Sequence, residues 1–144
     1  LFWLVIINKE RSFKYSPDGS CMMVVLTDAP LDSRNLERLA KRAMLGLSRT
    51  GGIASNGSGD YVIAVSTAEA CRITYESENP IQNVPTLRNE AMTPLFLATI
   101  EATEEAIMNS LFAGETMIGR DGHKIEALPK EKVLEMLREA GKID

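Results

Sequence analysis

Apolar positions along the chain change their period several times, and each change predicts an element. Residues 1–7 form a short apolar run followed by charged residues and are read as a strand. Residues 8–18 are mostly polar and lead through Ser16, Pro17 and Asp18 into Gly19, a turn or linker composition that suggests a boundary. Residues 21–27 are nearly continuously apolar and rich in strand formers, which predicts a strand covered on both faces. Asp28, Ala29 and Pro30 break it, and Asp32 or Ser33 is placed to cap a helix. Leu36, Leu39, Ala40, Ala43 and Leu47 then recur at spacings of three and four, one apolar stripe that Gly51 and Gly52 bring to an end. Residues 54–59 form a loop of small residues, and 61–66 read as a second buried strand.

Further on, residues 76–89 carry two prolines, several charges and no period, the pattern of an exposed loop. Thr93 as cap and Pro94 as first helical residue predict a long helix to about Phe112, with Leu95, Ala98, Ala102, Ala106 and Ile107 as core candidates. Residues 123–127 suggest a short strand. Pro129 starts a last amphipathic helix through Val133, Leu134 and Leu137 to Gly141. The order β-α-β-loop-α-β-α predicts a layered α/β domain.

With 144 residues, 44% apolar and 25% charged, the chain suits a single soluble unit. A net charge of −4 and a pI near 5.1 argue against nucleic-acid or anionic-membrane partners, since Arg38, Lys41, Arg42 and Arg49 are spread along a solvated helix face. The opening apolar run is too short to span a bilayer and lacks the features of a signal peptide. Cys21 and Cys71 show neither CxxC spacing nor a nearby His pair, so no metal, no cofactor and no disulfide framework is called for, and a reducing cytoplasm is the default. The first residue is Leu, which suggests a fragment of a longer product with something upstream.

A His-based serine triad has little support, because His123 is the single histidine and no GxSxG elbow accompanies it; it reads as a surface or structural residue. A serine at a new chain terminus offers another route. Its own α-amino group, with a reference pKa of about 7.7–8.0, titrates where a general base works well. Gly19 lacks a side chain and can take up the strained backbone that lets the Ser20 hydroxyl attack the Gly19 carbonyl. Taken alone, the Gly19-Ser20 pair reads first as a simple turn before a strand, since that dipeptide is common in turns. Ser58 and Asp60 stand at i and i+2 at the mouth of the second strand, so both can face one side, Ser58 relaying or orienting a proton and Asp60 holding an ammonium. The same loop also fits a plain connecting turn. Gly119-Arg120-Asp121-Gly122 reads as a turn held by an Arg–Asp interaction, and Cys21 is a weaker rival nucleophile in an apolar run.

Four stretches in order carry a resemblance. They are residues 19–31, which begin Gly19-Ser20-Cys21-Met22, then Arg49-Thr50-Gly51-Gly52, then Asn56-Gly57-Ser58-Gly59-Asp60, then residues 115–123 around Gly119-Arg120-Asp121-Gly122-His123. From about Gly19 to the end the chain resembles the small subunit of the L-aminopeptidase D-amidase/esterase family, which includes the β-peptidyl aminopeptidases. The resemblance implies a precursor that cuts itself between Gly19 and Ser20, giving an upstream large subunit that ends near residue 19 and a small catalytic subunit of residues 20–144. It implies that the two stay associated in an αββα sandwich, of which this chain holds half, and that the assembly is a homo-oligomer. By motif position Ser20 is the implied nucleophile, Ser58 and Asp60 assist it, and Asn56 and Gly57 line the site; some relatives carry glutamate in the place of Asp60.

The implied reaction is hydrolysis of short peptides, amides or esters with a free N-terminal amine through an acyl-enzyme on Ser20. The large subunit would supply part of the oxyanion and substrate pocket, so this chain alone is expected to be inactive. Two other readings are a non-catalytic fragment or binding and assembly module that keeps the fold, and a related amidase for small non-peptide amides.

Overall fold

The computed structural model describes residues 19–76 and 79–144. The strand read at residues 1–7 and the linker at 8–18 lie outside the described residues. Strand β1 (Met22–Thr27) leads into helix α1 (Ser33–Arg49), which returns the chain to β2 (Tyr61–Ser66). The two strands pair in parallel with Met22 opposite Tyr61 and Thr27 opposite Ser66, a βαβ unit. Helix α2 (Met92–Ala113) lies against α1, a small antiparallel hairpin of β3 (Met117–Ile118) and β4 (Lys124–Ile125) follows, and α3 (Lys130–Glu139) comes last. The predicted order therefore holds, with the short strand β3 as an addition. At two residues, β3 is too brief for a periodicity to register.

Helix α1 starts where Asp32 accepts a hydrogen bond from the Asn35 N–H at 2.8 Å, satisfying one of the free donors of the first turn. Its stripe buries Leu39, Ala43 and Leu47, and Gly51 beyond its end takes a φ of 95°. Helix α2 departs from expectation at its start. A 3-10 turn at Asn89–Ala91 feeds directly into it and no side chain caps it, so Thr93 is an ordinary first-turn residue. Pro94 still sits in that first turn, where its missing N–H sacrifices no bond within the helix.

The buried face of α2 also differs. Met92, Thr99 and Thr103 are buried, whereas Ala98, Ala102 and Ala106 face outward. Each buried threonine returns its hydroxyl to the carbonyl one turn back, Thr99 to Leu95 and Thr103 to Thr99, both at 2.7 Å. That bond neutralises the polar atom and lets the rest of the side chain act as a small packing surface. Small residues are needed because Gly46 of α1 lies against this face. A methyl group on Gly46 would stand 2.6 Å from Thr103 Cβ and 2.7 Å from the Ile100 carbonyl. Gly46→Ala is accordingly expected to force the helices apart and cost about 1–3 kcal/mol, read as a lower denaturation midpoint with an unchanged slope.

The two faces of the strands differ in cover. Both helices cover the same face of the sheet, where Met23, Val25 and Val62 meet Ala43 and Leu47. On the other face Met22, Val24, Leu26, Tyr61, Ile63 and Val65 are all exposed, so each strand is covered on one side among the described residues. One sheet and one helix layer are half of a four-layer arrangement. Of the predicted loop 76–89, the described residues are mostly exposed, but it is pinned near its end, where the Leu87 N–H donates to the Pro30 carbonyl at 2.8 Å and Leu87 packs against the Leu31, Leu39 and Met92 cluster.

Candidate active site

The register of β1 and β2, extended upstream of the paired residues, sets the geometry of the site. Stepping back from Met22 and Tyr61 brings Cys21 beside Asp60, Ser20 beside Gly59 and Gly19 beside Ser58. Hydrogen bonds follow that order. The Tyr61 N–H donates to the Cys21 carbonyl at 3.2 Å, and the Cys21 N–H donates to Asp60 Oδ1 at 2.7 Å. The Gly59 N–H donates to Ser20 Oγ at 2.8 Å. Ser58 Oγ lies 2.6 Å from Asp60 Oδ2 and 3.1 Å from the Gly19 carbonyl oxygen.

A serine hydroxyl has one proton, so Ser58 serves one of these two acceptors at a time. The shorter contact, to a carboxylate, is the stronger. Asp60 thus uses one oxygen to fix the backbone directly after Ser20 and the other to orient Ser58, which in turn stands over the carbonyl before Ser20. Gly19 has a φ of 122°, a conformation that side-chain-bearing residues rarely adopt, so the glycine is required at the residue whose carbonyl Ser58 touches.

The structure brings Gly19, Ser20, Ser58 and Asp60 into one open cleft of about 200 Å³, with Leu47, Gly52, Ile53, Ala54 and Ser55 among its walls. Asn56 and Gly57 are exposed at the loop tip, outside the set of residues that line it. The sequence reading missed the Gly59 amide and the wall at residues 52–55. A signal for the first was available, since two parallel strands starting two residues after Ser20 and Gly59 place these residues side by side. For the wall the one local sign is Ala54, a non-glycine residue at φ 46°, which is visible only in the fold.

Residues elsewhere stay apart from the cleft. His123 is exposed beside the β3–β4 turn, where Arg120 and Asp121 form a 3.3 Å ion pair with both side chains in solvent. A pair so exposed contributes little, so the turn rests on its backbone, with Asp121 at φ 57° and Gly122 at φ 76°. Cys21 and Cys71 are free thiols. No helix among the described residues is long and apolar enough to cross a membrane.

A two-layer α/β unit with a serine and its partners at the start of paired parallel strands defines a class, and comparison with known proteins bears on it directly. The chain matches several solved structures, one of them described as an N-terminal-nucleophile hydrolase fold. It covers 84% of itself and 34% of the L-aminopeptidase D-Ala-esterase/amidase of Ochrobactrum anthropi, at 33% identity and a TM-score of 0.72; that protein is described as a prototype for the serine aminopeptidases and a variant of the N-terminal-nucleophile hydrolase fold. A protein of known structure from Pyrococcus horikoshii OT3 matches over 83% of this chain and 34% of its own, at 48% identity and a TM-score of 0.73.

The chain belongs to peptidase family S58, whose model matches residues 4–125. This match starts upstream of Gly19 and stops before α3, whereas the motif blocks suggested a likeness from Gly19 to the end. The beta-peptidyl aminopeptidase BapA of Sphingosinicella microcystinivorans is 44% identical over 121 residues, which are 84% of this chain and 30% of BapA. The chain therefore spans about a third of the length of these relatives.

Proposed function

We propose that this chain carries the nucleophile of a self-processing serine aminopeptidase or amidase, with Ser20 as nucleophile and Gly19-Ser20 as the bond that is cut. The observation that carries the reading is the convergence of Ser20 Oγ, Ser58 Oγ, the Asp60 carboxylate and the Gly19 carbonyl at one end of the β1–β2 pair. In the first step Ser20 Oγ attacks the Gly19 carbonyl carbon and gives up its proton, the proton is delivered to the Ser20 nitrogen as the C–N bond breaks, and the acyl group moves to oxygen. Before this step the Ser20 nitrogen is an amide and cannot act as a base, so the Ser58–Asp60 pair is the proton acceptor at hand. Water then hydrolyses the ester and leaves a chain that begins with the Ser20 amine.

That amine changes the chemistry for later turnovers. It takes the Ser20 hydroxyl proton as the substrate carbonyl is attacked and returns a proton to the leaving amine, while Asp60 stabilises the ammonium in between. Family membership and similarity to BapA and the Ochrobactrum enzyme support short peptides, amides or esters with a free N-terminal amine as substrates. In this reading an upstream segment of the same precursor is the partner that completes the pocket, the boundary lies between residues 19 and 20, and the protein assembles into an oligomer in the cytoplasm. Intact mass and N-terminal sequencing of the full-length protein test the first claim. A fragment beginning at Ser20 is expected, and a single uncut species with full peptidase activity would sink the proposal.

A further inference from the structure

We propose that Gly59 is a positioning residue for the nucleophile, through its backbone N–H and through the absence of a side chain. The inference rests on the reading of Ser20 as nucleophile and adds a group that the sequence motifs alone do not assign. Ser20 is exposed, and the glycine before it lends its backbone no stiffness. A serine in that setting samples three χ1 wells and exchanges partners with water. The Gly59 N–H, 2.8 Å from Ser20 Oγ, selects one of them.

Sheet geometry makes this selection dependable. The Tyr61 N–H to Cys21 carbonyl bond and the Cys21 N–H to Asp60 side-chain bond lie directly on the strand side of the Gly59–Ser20 contact, so both partners are tethered at the end of the paired strands. The contact joins two residues downstream of the cut bond, and it does not depend on that bond being intact. An N–H on one side of Oγ also turns the hydroxyl's own proton elsewhere, leaving it available to a base. When an acyl-enzyme is hydrolysed, the bond from the acyl carbon to Oγ breaks, its electron pair returns to Oγ, and the Ser20 ammonium supplies the proton. The Gly59 amide meets the charge that develops on Oγ during that step.

The missing side chain matters as much. A Cβ on residue 59 would stand 3.3 Å from Ser20 Oγ and 3.9 Å from Ser20 Cβ, tight enough to displace the oxygen by a few tenths of an ångström. Displacements on that scale at a reacting atom are costly, because the rate depends on near-attack alignment.

Two substitutions in the full-length protein separate these effects. Glycolic acid at position 59, introduced by ligation, replaces the N–H with an ester oxygen and adds no side chain. It is expected to lower kcat about 10- to 100-fold with KM within about twofold and the circular dichroism spectrum unchanged. Gly59→Ala keeps the N–H and adds the methyl group, and is also expected to lower kcat with little change in KM. Wild-type kcat in the ester protein overturns the role of the amide, and wild-type kcat in Gly59→Ala overturns the need for space. Ser20→Ala serves as the control: if it is inactive while both position-59 proteins are fully active, this inference fails and the nucleophile reading stands. If Ser20→Ala is itself active, the nucleophile reading fails.

Discussion

Ser20→Ala is expected to leave the full-length protein as one uncut chain and to lower peptide hydrolysis by on the order of 10⁵–10⁶ in kcat. Alanine removes the oxygen that forms both esters, one with Gly19 during processing and one with substrate afterwards, so the two activities fall together. The fold has little stake in that oxygen. Ser20 is exposed, its neighbour Cys21 keeps its bond to Asp60, and the Gly59 N–H can turn to water. Thermal stability should therefore stay within about 0.5 kcal/mol of the parent. Mass spectrometry reads the first outcome and steady-state kinetics the second. A Ser20→Ala protein that still splits before residue 20 would place the nucleophile elsewhere, and a split one residue later would point to Cys21.

The second large effect is expected at Asp60. Its carboxylate accepts from two donors, the Cys21 N–H and the Ser58 hydroxyl. Asparagine keeps one carbonyl oxygen for Cys21 but turns an NH₂ group toward Ser58, which must then accept, and the negative charge is gone. The backbone of β1 should hold, while the proton acceptor for processing and the partner of the Ser20 ammonium are both lost. A slowing of self-cleavage and of turnover by about 10²–10⁴ is expected for Asp60→Asn, with stability changed by about 1 kcal/mol or less. Asp60→Glu retains the charge at the cost of one added methylene and should recover much of the activity. Equal rates for Asp60→Asn and the parent, measured by the half-time of processing and by kcat, would remove Asp60 from the chemistry.

Much of the fold was legible because its signals are local and periodic. The stripe Leu39, Ala43 and Leu47, the Asp32 cap and the apolar stretch at residues 61–66 all announce themselves in the sequence, and the structure has them as read. What failed depended on distant partners. The face that α2 buries is set by how closely Gly46 lets α1 approach, and that favours Thr99 and Thr103 over the nearby alanines. Among the described residues, the exposed far face of β1 and β2 follows from both helices stacking on the same side of the sheet. At the candidate site, Ser20, Ser58 and Asp60 could be named from their chemistry and spacing. The Gly59 amide could not be found by residue type, because every non-proline residue offers the same group. Only its placement distinguishes it.

That placement has a consequence for how damage would spread. The loop bearing Ser58 and Gly59 is mostly exposed and has no hydrophobic anchor of its own, so its alignment is inherited from the ladder between β1 and β2. The ladder is held in turn by Met23, Val25 and Val62 against α1. A strand slip of a single residue would set Ser20 against Ser58 or Asp60 in place of Gly59 and turn alternate side chains to the opposite face. Faults in the core, well away from any reacting atom, would then surface first as lost turnover in a protein that is still folded.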